Sequence, residues 1–395
     1  MKTKLEKIYN YLQNNDFDSY ILVDYENKNP LVKELLLGKM LTRKIVISIQ
    51  KDRKIHLFCH FIDSVFLKIP EIEKDFDVYI YNTWQELLDL EKKYFAIYKK
   101  VLMDISRDGL LPRISLADYG SVSFIKELGI EISSSGNLLQ EIVSTLSKKS
   151  MDLQDEACQL TLKIKDEAFE LIRKALSEEK QISEYEVQQF ICKRFTEQGM
   201  IFDEPPIVAI DKNAANPHYA PSENDFSYIK KGNLILIDMW AKMNDPDAVY
   251  ADITWMAYAG EEVPEEYQKL FDIVKEARDA AIEFISKEIK HRKVYAFEAD
   301  DIARKVISSY GYGQYFSHRL GHNIGVDVSP HGNGANLDNY ETHDDRYLIN
   351  NTSFSDEPGI YIPNKVGVRL ETDLRIENDQ LKVVGGLQEE IIKLY

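Results

Sequence analysis

Five side chains in the second half of the sequence could bind divalent metal ions. They are Asp238, Asp252, His322, Glu357 and Glu371. A carboxylate that follows or lies within an apolar, strand-like run is costly to bury unless it is paired, hydrogen-bonded or bound to a metal. Four converging carboxylates would also raise one another's pKa values and destabilise the fold. Divalent cations remove this repulsion. Oxygen ligands with one imidazole suit Mn²⁺, Fe²⁺, Co²⁺ or Zn²⁺, and four carboxylates suffice for two ions.

The two aspartates are predicted to lie on adjacent strands. Asp238 ends the apolar run Leu234–Ile237, and Asp252 follows 14 residues later (252 − 238). Asp245 and Pro246 in the connection are typical of a turn. The segment is therefore predicted to form a hairpin that could place both carboxylates side by side.

Each of the five positions also has an ordinary interpretation. An aspartate at a strand end is usually a turn or cap residue. A histidine between glycines, such as His322 in Gly321–Gly325, is more often structural. Glu371, with an arginine and an aspartate nearby, fits a solvated strand face. Taken singly, none of the five positions supports a metal site.

Taken together and in this order, the five positions resemble the ligand set of the pita-bread metallopeptidase family. This family includes prolidase, aminopeptidase P, methionine aminopeptidase and the creatinase-like proteins. The matching segments are Asp252–Thr254, Gly321–Gly325, Glu357–Tyr361 and Gly367–Glu371. The resemblance implies that Asp252 and Glu371 bridge two metal ions and that Asp238 chelates one of them. His322 and Glu357 would complete the coordination of the other ion. Mn²⁺ is the expected metal, with Co²⁺, Zn²⁺ and Fe²⁺ as alternatives.

The same resemblance implies a hydrolytic mechanism. A water held between two cations has its pKa lowered toward neutrality, which would create a metal-bridging hydroxide as the nucleophile. Glu357 is the position that also handles the proton of this water. The metals would polarise the scissile carbonyl, and a histidine would stabilise the tetrahedral intermediate.

Two further histidines resemble catalytic positions of the family. His218 matches a substrate-side histidine of the prolidase and aminopeptidase P branch, and a loop histidine after Pro217 is the alternative. The family places a second histidine seven residues after the metal-binding one, where this sequence has Ser329 (322 + 7). We interpret Ser329 and Pro330 as a two-residue insertion, so His331 is expected to act instead. A surface-loop position for His331 is the alternative.

Arg369 and His318 are candidates for substrate binding. Arg369 lies two residues before Glu371, and on a strand this spacing places both side chains on one face. The arginine could orient Glu371, grip a substrate carboxylate bidentately, or form a salt bridge beside the ligands. His318, four residues before the metal-binding histidine, could line the pocket.

Three features depart from the family pattern. Trp255 stands where an arginine often follows Asp-Ile-Thr. Met239 and Trp240 follow the first aspartate in place of a glycine-containing turn, and Gly332 replaces the glutamate that commonly follows the catalytic histidine. These differences leave substrate specificity open more than they affect metal binding.

Composition limits the class of protein. The 395 residues are 44% hydrophobic and 29% charged, which is typical of a globular protein of two or three domains. The net charge of −17 argues against binding to nucleic acid or to anionic membranes. The three cysteines form no CxxC pair, and we find no secretory signal and no membrane-spanning run. We therefore expect a cytoplasmic protein.

The sequence predicts an α/β (α+β) fold in two domains. Residues 1–148 contain strand-like runs such as Tyr20–Val23 and Ile45–Ile49, and the resemblance assigns them to a creatinase- or prolidase-like α/β domain. Residues 149–395 begin with long amphipathic helices and would form the catalytic pita-bread domain, a curved antiparallel sheet with flanking helices. A linker is predicted near Lys148–Ser150.

The function that the resemblance implies is hydrolysis of Xaa-Pro peptide bonds, by an aminopeptidase P-like enzyme or a prolidase. The substrate would be a small peptide with proline at its second position, and a homodimer is expected. Three rivals remain: a creatinase-type hydrolase that acts without metal, a metal-dependent lyase on a small substrate, and an inactive binding module. The first and third would be expected to have lost ligands that are intact here, whereas the lyase would keep them.

Overall fold

The computed structural model describes residues 2–326 and 329–395. The chain forms two compact units, Met1–Ile142 and Val143–Tyr395. Both units mix helices with strands, so the predicted α/β class is confirmed. Within the described ranges, no helix is long and apolar enough to cross a membrane.

The N-terminal unit is built on a mixed sheet with the strand order β4-β3-β2-β1-β5-β6. Its strands are β1 (Ser19–Asp24), β2 (Ile45–Gln50), β3 (Ile55–His60), β4 (Asp77–Tyr81), β5 (Lys100–Met103) and β6 (Glu131–Ser134). Its helices are α1 (Lys2–Asn14), α2 (Pro30–Leu35), α3 (Phe61–Ser64), α4 (Pro70–Asp75), α5 (Trp84–Phe95), α6 (Tyr119–Glu127) and α7 (Gly136–Val143). The predicted strand runs lie within β1 and β2.

Both faces of the central strand β1 are covered, because alternate side chains enter two separate cores. Tyr20 packs in the same cluster as Ile8 of α1. Its neighbour Ile21 points to the opposite face and packs with Phe95 of α5. A strand that is buried on both faces is apolar without alternation, as this run is.

In its described residues, the C-terminal unit contains four long helices and several short sheets. The helices are α8 (Lys148–Ser177), α9 (Glu184–Glu197), α10 (Glu265–Glu288) and α11 (Ala296–Ser309). The strands are β7 (Met200–Ile201), β8 (Ile207–Ile210), β9 (Leu234–Met243), β10 (Ala251–Tyr258), β11 (Asn323–Ile324), β12 (Thr352–Asp356), β13 (Gly359–Ile362), β14 (Val366–Arg369), β15 (Thr372–Glu377), β16 (Gln380–Val383) and β17 (Ile392–Lys393). The predicted linker residues Lys148–Ser150 form the first turn of α8, which Ser147 caps.

One sheet of this unit has the order β17-β10-β9-β7, with β8 also paired to β9. A second has the order β11-β12-β15-β16, and β13 pairs with β14. An isolated antiparallel bridge between Thr254 and Glu371 links β10 to the segment between β14 and β15. The predicted hairpin is confirmed, because β9 and β10 pair in antiparallel orientation.

The strand β9 has a different partner on each face. Ile235 and Ile237 pack in a cluster with residues of α8 and α9. Leu234 and Leu236 pack in another cluster, with residues of α10 and α11. The second face continues along the strand to position 238, where the apolar core ends and the candidate site begins.

Candidate metal centre

The pairing of β9 with β10 places the carboxylates of Asp238 and Asp252 at the edge of the core. In the strand register, Met256 faces Leu236, then Thr254 faces Asp238, and Asp252 faces Trp240. One face of the hairpin therefore changes from apolar to acidic within two residues. The sequence suggested that Asp238 ends a strand. In the structure it lies inside β9, which continues to Met243.

Thr254 joins this hairpin to the last two predicted site residues. Its hydroxyl donates to Glu371 Oε2 over 2.7 Å and accepts from Arg369 Nε over 3.0 Å. Arg369 Nη2 also donates to Asp238 Oδ2, which forms a buried ion pair. Arg369 thus contacts a ligand candidate on β9, a strand of another sheet, while Glu371 lies between β14 and β15 and not within a strand.

His322 directly precedes β11, and Glu357 directly follows the adjacent strand β12. Ser355 Oγ accepts from the backbone N–H of His322 over 2.9 Å and donates to Glu357 Oε1 over 3.0 Å. A Cβ on Gly321 would lie 2.0 Å from the carbonyl oxygen of Ser355, so only glycine allows this close approach. His322 Nε2 then lies 3.5 Å from Asp252 Oδ2 and 3.6 Å from Glu357 Oε1.

The cluster has the composition and spacing of a divalent cation site. Asp252, His322 and Glu371 each offer one ligand atom, and these atoms lie within 4.8 Å of one another. Within the described part of the chain, the buried Oδ1 of Asp238 has no hydrogen-bond partner. A buried carboxylate oxygen without a donor needs a cation or a proton. The donor set of carboxylate oxygens and one imidazole therefore fits hard divalent ions.

Electrostatics support the same conclusion. Burial, together with the neighbouring carboxylates Glu371 and Asp238, raises the pKa of Asp252 well above its ordinary value. Burial and the carboxylates of Glu357 and Asp238 do the same for the pKa of Glu371. Burial also raises the pKa of Glu357 to about 7, although Arg369 opposes this shift. Without cations, the cluster would hold protons at neutral pH.

The two predicted catalytic histidines lie on loops at the opening of the cluster. His218 is exposed, and its loop can approach β14 because a Cβ on Gly367 would lie only 1.8 Å from the carbonyl oxygen of Ala214. His331 is exposed, and its ring centroid lies 4.0 Å from that of His322. A bridge between His331 and Ile324 sets this position. Both His331 and the alternative Ser329 line the same cavity as the cluster.

His318 belongs to a hydrogen-bonded chain beside the cluster. Its Nε2 lies 2.7 Å from the hydroxyl of Tyr361, which accepts from Arg369 Nη1 over 3.2 Å. Its Nδ1 lies 2.7 Å from the carbonyl oxygen of Arg319. Burial, followed by the charge of Arg369, lowers the pKa of His318 to about 3, so the imidazole is neutral at pH 7.

The structure brings all the predicted site residues to one cavity of about 760 Å³. They are Asp238, Asp252, His322, Glu357, Glu371, His218, His331, Arg369 and His318. The sequence reasoning assigned no role to the supporting residues Thr254, Ser355 and Tyr361. Alternation was the available signal for two of them, because Thr254 lies two residues after Asp252 and Ser355 two residues before Glu357.

A two-unit α/β chain with a buried carboxylate–imidazole cluster in its C-terminal unit defines a class of metal-dependent enzymes. The model of metallopeptidase family M24 matches residues 152–378, more than half of the 395 residues. The chain therefore belongs to metallopeptidase family M24, and the resemblance drawn from the motifs is confirmed. Membership of this family implies divalent metal ions as cofactors.

Named relatives and solved structures match over nearly the whole chain. An Xaa-Pro dipeptidase of Lactobacillus delbrueckii subsp. lactis is 28% identical over 376 residues, which are 93% of this chain and 92% of the relative. An Xaa-Pro dipeptidase of Pyrococcus horikoshii is 26% identical over 99% of both chains. The structure of a prolidase from Pyrococcus horikoshii OT3 superposes with a TM-score of 0.55 at 26% identity and covers 99% of this chain and all of that chain. The structure of an Xaa-Pro dipeptidase from Bacillus anthracis has a TM-score of 0.59 at 22% identity over 99% of both chains.

Proposed function

We propose that this protein is a dimetal-dependent hydrolase that cleaves Xaa-Pro bonds of small peptides, as a dipeptidase or as an aminopeptidase P-like enzyme. The convergence of four carboxylates and His322 on one cavity carries the proposal. The relatives named Xaa-Pro dipeptidase, which match over more than nine-tenths of both chains, support the substrate class. An Xaa-Pro bond is a tertiary amide without an N–H, so its cleavage calls for a dedicated site.

The proposed roles of the ligands are those that the family resemblance implies. Asp252 and Glu371 would be shared by two ions, and Asp238 would bind one of them through its unpartnered Oδ1. His322 and Glu357 would complete the coordination of the second ion. When bound, the ions would neutralise the carboxylates, lower the pKa of the attacking water and polarise the scissile carbonyl.

The other polar groups would move protons and orient the substrate. Glu357, whose carboxylate accepts a hydrogen bond from Ser355, would take the proton of the attacking water at Oε1 or Oε2. His218 and His331 would donate hydrogen bonds to oxygen atoms that gain charge in the transition state. Arg369 would fix the orientation of Asp238 through their ion pair.

The test is turnover by the metal-loaded protein. Protein reconstituted with Mn²⁺, Co²⁺ or Zn²⁺ is offered Xaa-Pro dipeptides beside longer Xaa-Pro-Xaa peptides. Cleavage of dipeptides alone identifies a dipeptidase, and cleavage of the longer peptides identifies an aminopeptidase P-like enzyme. Glu357→Gln should lower kcat by at least about 100-fold, whereas Glu283→Gln, an exposed glutamate of α10, should not. Metal-loaded protein that cleaves neither kind of peptide would refute the proposal.

We further propose Mn²⁺ as the native metal, a cytoplasmic location and a homodimer. The excess of oxygen ligands favours Mn²⁺, and the free thiols of Cys59, Cys158 and Cys192 suit a reducing compartment.

The proposed homodimer has a candidate contact surface. Phe61, Val65 and Phe66 of the N-terminal unit are 53%, 62% and 50% exposed, and a second copy of the chain could cover them. Light scattering after gel filtration should give twice the chain mass of 45.8 kDa. A monomer at micromolar concentration would contradict the dimer.

A further inference from the structure

Trp240 is an aromatic residue inside the acidic site. It follows Asp238 by two residues on β9 and pairs directly with Asp252 on β10. Because side chains two residues apart on a strand share a face, its indole lies on the same face as both aspartates. It lines the same cavity as they do. Trp240 thus stands next to the proposed reaction centre.

Contacts on two sides fix the orientation of this indole. Its Nε1–H donates to Asp203 Oδ1 over 2.7 Å, and Asp203 also lines the cavity. The ring is half-buried and packs against the core that contains Leu236 and against a smaller cluster that contains Tyr250. The indole has one polar hydrogen, and Asp203 accepts it. The surface that Trp240 presents to the cavity is therefore apolar and held in place.

Trp255, the other tryptophan that departs from the family pattern, has different surroundings. Trp255 lies on β10 with the opposite parity to Asp252 and packs against the core beneath α8 and α9. The Nζ of Lys165 lies 3.7 Å from the centroid of its ring. Trp255 therefore supports the helix layer, and Trp240 is the one of the two that faces the cavity.

We propose that Trp240 is a specificity-determining residue, whose indole face forms an apolar wall against the substrate, and that Asp203 is its positioning residue. The proposal rests on the proposed Xaa-Pro hydrolase function and adds the surface that recognises the substrate. Apolar side chains and the pyrrolidine ring of proline both pack well on an aromatic face. The shared chemistry is thus an apolar group of the substrate, either the first side chain or the proline ring.

The test compares KM and kcat for three dipeptides: Gly-Pro, Leu-Pro, and Gly-(N-methyl-Ala), which lacks the closed ring. If the first side chain contacts the wall, Trp240→Ala should raise the KM for Leu-Pro about tenfold with little change for Gly-Pro. If the proline ring contacts it, the KM should rise equally for Leu-Pro and Gly-Pro and stay unchanged for Gly-(N-methyl-Ala). In both cases kcat should change less than about threefold, because a binding wall acts on substrate affinity.

Further variants separate this role from structural damage. Trp240→Phe keeps an aromatic wall and should recover most of the lost affinity. Asp203→Asn should give a smaller rise in KM, because it weakens the hydrogen bond that orients the indole. Trp255→Phe is the matched control and should leave the KM values unchanged. Mn²⁺ affinity, measured by calorimetry, should stay within about twofold in the Trp240 variants.

Two results would overturn the inference: KM values that change less than twofold in all Trp240 variants, or improved use of Leu-Pro by Trp240→Ala. Binding of Leu-Pro to the Glu357→Gln variant, with and without Trp240→Ala, provides a readout that needs no turnover. If the wild-type protein cleaves no Xaa-Pro peptide, the proposed function fails. If it cleaves them and Trp240 has no effect on KM or on binding, the wall alone fails.

Discussion

The carboxylate of Asp252 has the most acidic surroundings of the proposed ligands. Burial raises its pKa, and four other carboxylates, those of Glu371, Asp238, Asp373 and Glu357, raise it further. The carboxylate of Asp373 also accepts the backbone N–H of Asp252 over 3.1 Å. The negative charge of Asp252 must therefore be neutralised by a proton or balanced by a metal ion.

Removing this carboxylate should prevent metal binding. We expect Asp252→Ala to lower Mn²⁺ affinity by at least about 100-fold, since even outer partners of metal ligands contribute 10- to 100-fold. Calorimetric titration with Mn²⁺ measures the effect, and circular dichroism checks the fold. Asp272→Ala, which removes an exposed aspartate of α10, is the control. Retention of two tightly bound ions by Asp252→Ala would contradict the ligand assignment.

Because Glu91 on α5 is buried, we expect the stability of the N-terminal unit to depend on pH. Glu91 is 4% exposed, and burial raises its pKa to about 7. The unfolded chain has an ordinary glutamate pKa of about 4.3, so between these values the folded state binds more protons. The free energy of unfolding therefore falls as pH rises from about 4.5 to 7.

Glu91→Gln should remove this fall. Relative to the wild type, the variant should gain up to about 3 kcal/mol of stability between pH 5 and pH 8. Thermal unfolding of metal-free protein across this range measures the gain, and Glu127→Gln on α6, an exposed position, is the control. Parallel stability curves for Glu91→Gln and the wild type would show that Glu91 is not the cause.

At the residue scale, the sequence could predict which side chains meet but not all of their partners. The order and local motifs of the five ligand candidates pointed to one cavity. The spacing of Arg369 and Glu371 predicted a shared strand face; Glu371 lies outside a strand, although both side chains contact the hydroxyl of Thr254. The ion pair of Arg369 with Asp238 joins residues 131 positions apart. Such a contact depends on how the sheets meet, and local periodicity contains no information on it.

Among the elements, α9 positions the loop of His218 through its first residue, the buried Glu184. Glu184, at the start of α9, accepts from the backbone N–H groups of Ile210 and Ser227 over 2.7 Å and from the hydroxyl of Tyr219 over 2.6 Å. The sequence has the Ser-x-x-Glu pattern of a capping box, and Ser183 and Glu186 form this box in the structure. It could not predict Glu184, because an acidic residue in a first helical turn is usually explained by the helix dipole.

Two adjacent substitutions should separate the cap from the loop. Ser183→Ala should cost about 1 kcal/mol, which lowers Tm by about 2–4 °C, and leave KM unchanged. Glu184→Gln replaces acceptor oxygens with an amide that cannot satisfy the same donors, so we expect a Tm lower by about 5 °C and a kcat/KM about tenfold lower. Equal kcat/KM for the two variants would show that Glu184 serves the helix alone.

For the whole molecule, length and composition correctly suggested a globular chain of more than one unit. The units divide between Ile142 and Val143, while the predicted break near Lys148–Ser150 is helical. The periodicity of apolar residues showed where strand-like runs give way to long amphipathic helices. The N-terminal end of a long helix gives no such signal when its first turn, Lys148–Ser150, is polar. The assignment of residues 1–148 to a creatinase-like domain remains a prediction.

Metal removal should destabilise one unit and spare the other. All proposed ligands lie in the Val143–Tyr395 unit, and ligand at 100 times its Kd stabilises by about 2.7 kcal/mol. Differential scanning calorimetry with Mn²⁺ and then with a chelator should therefore shift one transition by several degrees. A shift of both transitions, or of neither, would contradict a metal centre confined to this unit.

The spread of the ligands along the chain has a consequence for biosynthesis. Glu371 is made 133 residues after Asp238 (371 − 238), and only then can it pair with Thr254 of β10. A growing chain thus exposes two aspartates long before it can complete the cluster. Metal loading would then be a late event, after β10 has paired with the Glu371 segment. A bound ion would hold these distant segments together and slow their separation.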